Sequence, residues 1–179
     1  MKLFDYSIYE LSMLDQDSRD EYVAIGLSLT SDGRELEDLQ TIEWGKVKEI
    51  QGLLHMEFDI EAMAQACNII YDIHRPDAMK WNELFPLYNF IIEGLVKIEK
   101  LEERLKYEPS IQELSAGIEE FNQFGIFVTI DRLAVGDPLR YDAITKLPYN
   151  IIFSKLLLNL VDANFQKKYQ EIINNQNKH

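Results

Sequence analysis

The sequence predicts a mainly α fold, a multi-helix bundle with a short strand or extended segment near residues 23–30. Three observations predict it. Apolar residues recur at intervals of three and four along most of the 179 residues. Two capping boxes, Ser7 with Glu10 and Ser110 with Glu113, mark helix starts at which each side chain satisfies a free amide. Eight Gly and five Pro are few for a sandwich of many short strands. With 46% hydrophobic residues, including nine Phe and nine Tyr, there is material for one substantial core. Residues 1–172 therefore read as a single helical domain, followed by a polar tail at 173–179.

Taken in order, a first helix starts near Ile8 and breaks or restarts at "DQDSRD", where Asp and Ser favour turns. Val23, Ile25, Leu27 and Leu29 then alternate at period two before Ser-Asp-Gly, the pattern of a strand or an extended linker. Thr41 stands as a cap before a helix carrying Val47, Ile50 and Leu54. Asp59 starts the next, with Ile60, Met63, Cys67, Ile70 and Ile73 in one stripe. The longest helical candidate follows "HRPD", where Asp77 reads as its cap, and it starts or kinks near Pro86, which lacks a ladder amide. Tyr88, Ile91, Leu95, Ile98, Glu102 and Leu105 follow a period near 3.5, interrupted by Glu102.

The second capping box predicts a helix from Ser110 to about Gln123, ended by Gly125. "IFVTIDRLAV" reads as a helix with Phe127, Ile130 and Leu133/Ala134 on one face, although a buried strand fits it too. Then comes a corner. Gly136 ends one helix, Asp137 caps the next and Pro138 occupies its first turn. Leu147-Pro148 cuts that helix short, and Pro148 opens the last one, with Ile152, Leu156, Asn159/Leu160 and Ala163 facing inward.

Charge is uneven. The net charge is −13, yet residues 137–179 hold six basic and only four acidic side chains, whereas residues 1–75 hold sixteen acids and six bases. Such a surface repels a phosphate backbone, which argues against nucleic acid as a partner. It either keeps the protein dispersed or lets its two poles meet on neighbouring copies or on a larger partner. The lone Cys67 fits a reducing compartment. The N-terminus lacks the apolar run of a signal peptide, and "YNIIFSKLLLNLV" is too interrupted for a membrane span.

No catalytic, cofactor or metal signature emerges. His55, His74 and His179 are scattered, and adjacent acids such as Glu102/Glu103, Glu119/Glu120 and Asp15/Asp17 read as solvated. "DIHRPDAMKWN" resembles a kinase catalytic loop in residue type only, with no glycine-rich loop or Asp-Phe-Gly, and reads as an inter-helix turn. Cys67 lies among apolar neighbours and reads as an inert thiol. The expectation is a non-enzymatic protein without cofactors. Trp44 and Trp81 read either as half-exposed anchors of a protein interface or as core residues. Tyr141, Tyr149 and Phe153 carry the same ambiguity, and Arg140 sits with them at the corner.

Residues 121–170, "FNQFGIFVTIDRLAVGDPLRYDAITKLPYNIIFSKLLLNLVDANFQKKYQ", together with "TIEWGKVKEIQGLL", resemble small proteins from the structural and assembly modules of tailed bacteriophages. The style is that of crAss-like phages infecting Bacteroides-type hosts, and the resemblance covers about a third of the chain. It implies a non-catalytic helical adaptor at the portal or neck vertex, made in the host cytoplasm and located in the virion. Implied partners are portal, capsid, neck or tail proteins and copies of the chain itself in a ring, with neither nucleic acid nor membrane. The alternative it implies is a tail-assembly chaperone absent from the finished particle. It carries over no functional residue.

Overall fold

A computed structural model describes residues 5–30, 38–54 and 59–176. Nine α-helices form among them: α1 (Ile8–Ser12), α2 (Gln16–Gly26), α3 (Trp44–Leu53), α4 (Ile60–Tyr71), α5 (Trp81–Glu102), α6 (Ile111–Ser115), α7 (Phe127–Ala134), α8 (Tyr141–Thr145) and α9 (Tyr149–Gln176). Short 3₁₀ turns join several of them. The mainly α bundle is as the sequence predicts. The strand is not formed: Val23 and Ile25 belong to α2, which runs to Gly26 before a turn, and residues 31–37 lie outside the described ones.

α5 is the axis. α4, α2 and the 3₁₀ turn Leu39–Thr41 pack along it, burying Leu84, Phe85, Tyr88, Ile91, Leu95 and Ile98. Two glycines permit the closest approaches. A Cβ on Gly26 of α2 would stand 2.4 Å from Cδ1 of Phe85, and one on Gly94 of α5 would stand 2.7 Å from Cδ1 of Leu39. Asn89 then ties α2 down, its Nδ2 donating to the carbonyls of Gly26 (3.0 Å) and Leu29 (2.7 Å). Pro86 neither starts nor ends α5, which begins five residues earlier. The proline leaves the carbonyl of Asn82 without its helical donor, and Asn82 is exposed, so water can take that place.

Two expected caps are replaced. Thr41 lies in a 3₁₀ turn, and α3 follows Glu43 with no side-chain cap. Asp77 pairs instead with Arg75 at 3.3 Å, and α5 follows Lys80 uncapped. Both helix starts use long-range backbone bonds. Trp81 N donates to Tyr6 O (3.0 Å) and Ile8 N to Met79 O (2.9 Å), forming an antiparallel bridge of Ser7 with Lys80. Trp44 N donates to Leu147 O and Tyr149 N to Ile42 O, both at 2.8 Å, bridging Glu43 with Pro148. Four helix starts are thus stitched in two pairs.

Ser7 and Ser110 form the expected capping boxes, and Asp15, Asp59 and Asp137 cap as N-terminal acceptors. The helix after Ser110 is shorter than expected. It stops at Ser115, Gly117 turns left-handed at φ 82°, and a 3₁₀ segment Ile118–Phe124 follows. α9, not α5, is the longest helix, with 28 residues against 22.

Candidate protein-binding surface

Trp44, Trp81, Tyr149 and Phe153 are all at most 8% exposed and belong to the hydrophobic core. The two tryptophans are therefore not half-exposed anchors. Trp81 meets Tyr22 edge-on at 5.3 Å and Phe85 at 6.5 Å. Arg140 is exposed and pairs with Asp137 at 3.1 Å, while half-buried Tyr141 donates its hydroxyl to Asp131 at 2.6 Å. These six residues do not converge on one site. Trp44, Tyr149 and Phe153 share the floor of a groove, while Tyr141 lines a separate aromatic hollow with Phe121, Phe124 and Phe127.

The groove has a volume of about 780 Å³ and lies between α9, α7 and the segment around 105–118. Its walls are largely apolar, including Leu105, Leu133, Phe153, Leu156 and Leu160. At its base Glu102, at the end of α5, accepts hydrogen bonds from Lys48 Nζ (2.6 Å), Tyr149 Oη (2.7 Å) and Gln51 Nε2 (3.3 Å). Burial alone would raise the Glu102 pKa, but the bonds from Lys48 and Tyr149, the Lys48 charge and the Gln51 bond together hold it below the usual 4.5. Burial, with the hydrogen bond to Glu102 and its charge, pushes the Tyr149 phenol well above its ordinary value. A carboxylate so occupied joins α3, α5 and α9 at one point.

On the rim, the Ser110 hydroxyl, then Tyr107 and the Ser110 amide, hydrogen-bond Glu113 and hold its carboxyl down to about 2. Arg104 stacks over Phe153 and Arg132 over Phe121, each guanidinium 5.8 Å from the ring centre. Elsewhere, burial pushes the Cys67 thiol up to about 12, so it stays protonated at neutral pH. No cluster of three or more His, Cys, Asp or Glu that could hold a metal ion stands among the described residues. No described helix is long and apolar enough to cross a membrane.

The apolar side chains left uncovered are concentrated in the second half of the sequence. Of twenty large apolar side chains exposed among the described residues, sixteen follow Leu105, while the first hundred residues supply most of the core. Val135 and Leu139, at 83% and 91% exposure, form the tip of the Gly136 corner. Phe127 also points outward, which differs from its expected place on the inner face of α7, where Ile130 and Ala134 are buried. Comparison with protein-family models, with curated proteins and with solved structures finds no match for this chain.

Sequence reasoning passed over the outward face of α9. Ile151, Leu158, Phe165 and Ile172 stand seven apart and are all exposed. That interval is legible in the sequence, but the inward-facing Ile152, Leu156 and Leu160 share the same run and mask it.

Proposed function

We propose that this chain is a non-enzymatic interaction protein, a helical adaptor in the virion of a tailed phage that contacts portal, neck or tail proteins and copies of itself. One observation carries the interaction reading: sixteen of the twenty exposed large apolar side chains among the described residues fall within residues 107–172. Exposed apolar side chains in this number cost solubility unless another protein covers them. The phage assignment is supported by the resemblance of residues 121–170 and of the 41–54 segment. The acidic first half and slightly basic end supply charges of opposite sign for contacts between neighbours.

The open groove favours a second reading, an assembly chaperone that holds an apolar segment of a tail protein and leaves before the particle is complete. Quantitative mass spectrometry of purified particles separates the two. The adaptor is expected in every particle at fixed copy number. Absence from particles, with recovery in complex with a tail protein from infected cells, replaces it with the chaperone. Absence from both overturns both.

A further inference from the structure

α9 is apolar on two opposite faces, and only one is covered. Ile152 and Phe153 are buried against the body, and Leu156 and Leu160 are partly buried above them. At 3.6 residues per turn the exposed Ile151, Leu158, Val161, Phe165, Tyr169 and Ile172 fall within an arc of about 80° on the other side. Each is between 49% and 60% exposed. From Val161 to Gln176 every residue except Ile173 is exposed, so this part of the helix stands almost free of the body. It is ~24 Å long. A lone helix of that length is marginal in water. A helix with two apolar faces is stable when both are covered.

We propose that the outer face of α9 pairs antiparallel with α9 of a second copy about a two-fold axis. This names one partner within the interaction reading and rests on that reading only in treating the face as a contact. Charge selects the partner and the direction. Lys155 and Asp162 lie together on one flank of the apolar arc, seven residues apart, and neither has an ion-pair partner among the described residues. In an antiparallel pair, Lys155 of each copy meets Asp162 of the other, so one register forms two ion pairs at once. An isologous contact has this reciprocity.

The same register matches the apolar side chains. Leu158 of one copy meets Val161 of the other, and the Phe165 ring lies over the small Ser154. Ile172 reaches Leu147, itself 38% exposed just before Pro148. Tyr169 lies beside Ile151. The exposed apolar residues thus find partners without any change in α9. Together they cover on the order of 600 Å² per copy, which places the pair at the lower end of specific interfaces.

Light scattering on the purified full chain, coupled to size exclusion over a concentration series, tests the pairing. The expected mass is twice 21.0 kDa. Leu158→Glu, on the exposed face, is expected to give monomer with unchanged helical circular dichroism. Lys155→Glu alone should weaken association at least tenfold, and adding Asp162→Lys should restore it, because the reciprocal pairs are then remade with signs exchanged. A wild-type monomer at 100-micromolar concentration overturns the proposal, as does a dimer indifferent to Leu158→Glu. Failure of the double exchange to restore association overturns the antiparallel register. The measurement uses no phage particle, so its failure is distinguishable from that of the adaptor reading.

Discussion

The phenol of Tyr149 donates a 2.7 Å hydrogen bond to the Glu102 carboxylate and so fastens the first turn of α9 to the last turn of α5. Tyr149 is 1% exposed, and Lys48 of α3 reaches the same carboxylate oxygen. Three helices therefore meet at one anion. Tyr149→Phe keeps the ring and removes the donor, and is expected to lower stability by about 1–2 kcal/mol, in the range for hydrogen bonds to charged groups. Urea unfolding should show a lower midpoint with an unchanged slope; a shift below 0.5 kcal/mol would sever this link between geometry and stability.

The same anion predicts an acid limb. Its folded pKa lies below the unfolded value near 4.5, so its contribution is complete above that pH and is lost as pH falls toward the folded value. Glu10, Asp15 and Glu113 are also depressed, by hydrogen bonds from their cap partners, and share the limb. The specific readout is therefore a difference. The stability gap between wild type and Glu102→Gln, followed by thermal melting, should be widest above pH 5 and narrow towards pH 3. A gap constant across that range would refute the assignment.

Gly26→Ala sets two effects against each other. Alanine favours the helix by up to about 1 kcal/mol. Its methyl would lie 2.4 Å from the buried Phe85 ring, which has no room to retreat. The clash is expected to win, with a net loss of about 2 kcal/mol, in the range for overpacked cores. Gly52→Ala, where nothing lies within 4 Å, serves as the control and should be neutral or stabilising.

Val135 sits at φ 59° in the left-handed region, unusual for a β-branched residue, and is 83% exposed. Relief of that strain should make Val135→Gly more stable by about 1 kcal/mol. If the corner tip touches a partner, the same variant should also bind less well. Calorimetry on the isolated chain measures the first effect, and loss or gain of melting temperature decides it.

Local signals were the legible part of this fold. The capping boxes at Ser7 and Ser110 and the Asp137-Pro138 corner depend on residues within three positions of one another, and all three are found. The starts of α3 and α5 were misplaced onto Thr41 and Asp77 because their amides are satisfied by Leu147 and Tyr6, distant partners that no local pattern encodes. Glu102 read as a break in an apolar seam; it is that, but the break is filled by Lys48 and Tyr149 from other helices. For the candidate surface, residue type misled. Aromaticity pointed to Trp44 and Trp81, which the core absorbs, while the exposed face is carried by Leu, Val and Ile with Phe165 and Tyr169.

The bridge between Glu43 and Pro148 has a consequence for biosynthesis. Its halves lie about a hundred positions apart along the chain. Domains fold from the N-terminal side as they leave the ribosome. While residues 147–149 are still in the exit tunnel, the start of α3 has no partner for its bridge and the groove has no far wall. In the nascent protein the amide of Trp44 therefore stays without its partner until Leu147 has cleared the ribosome, and the emergence of that one short segment is the event that joins the two halves.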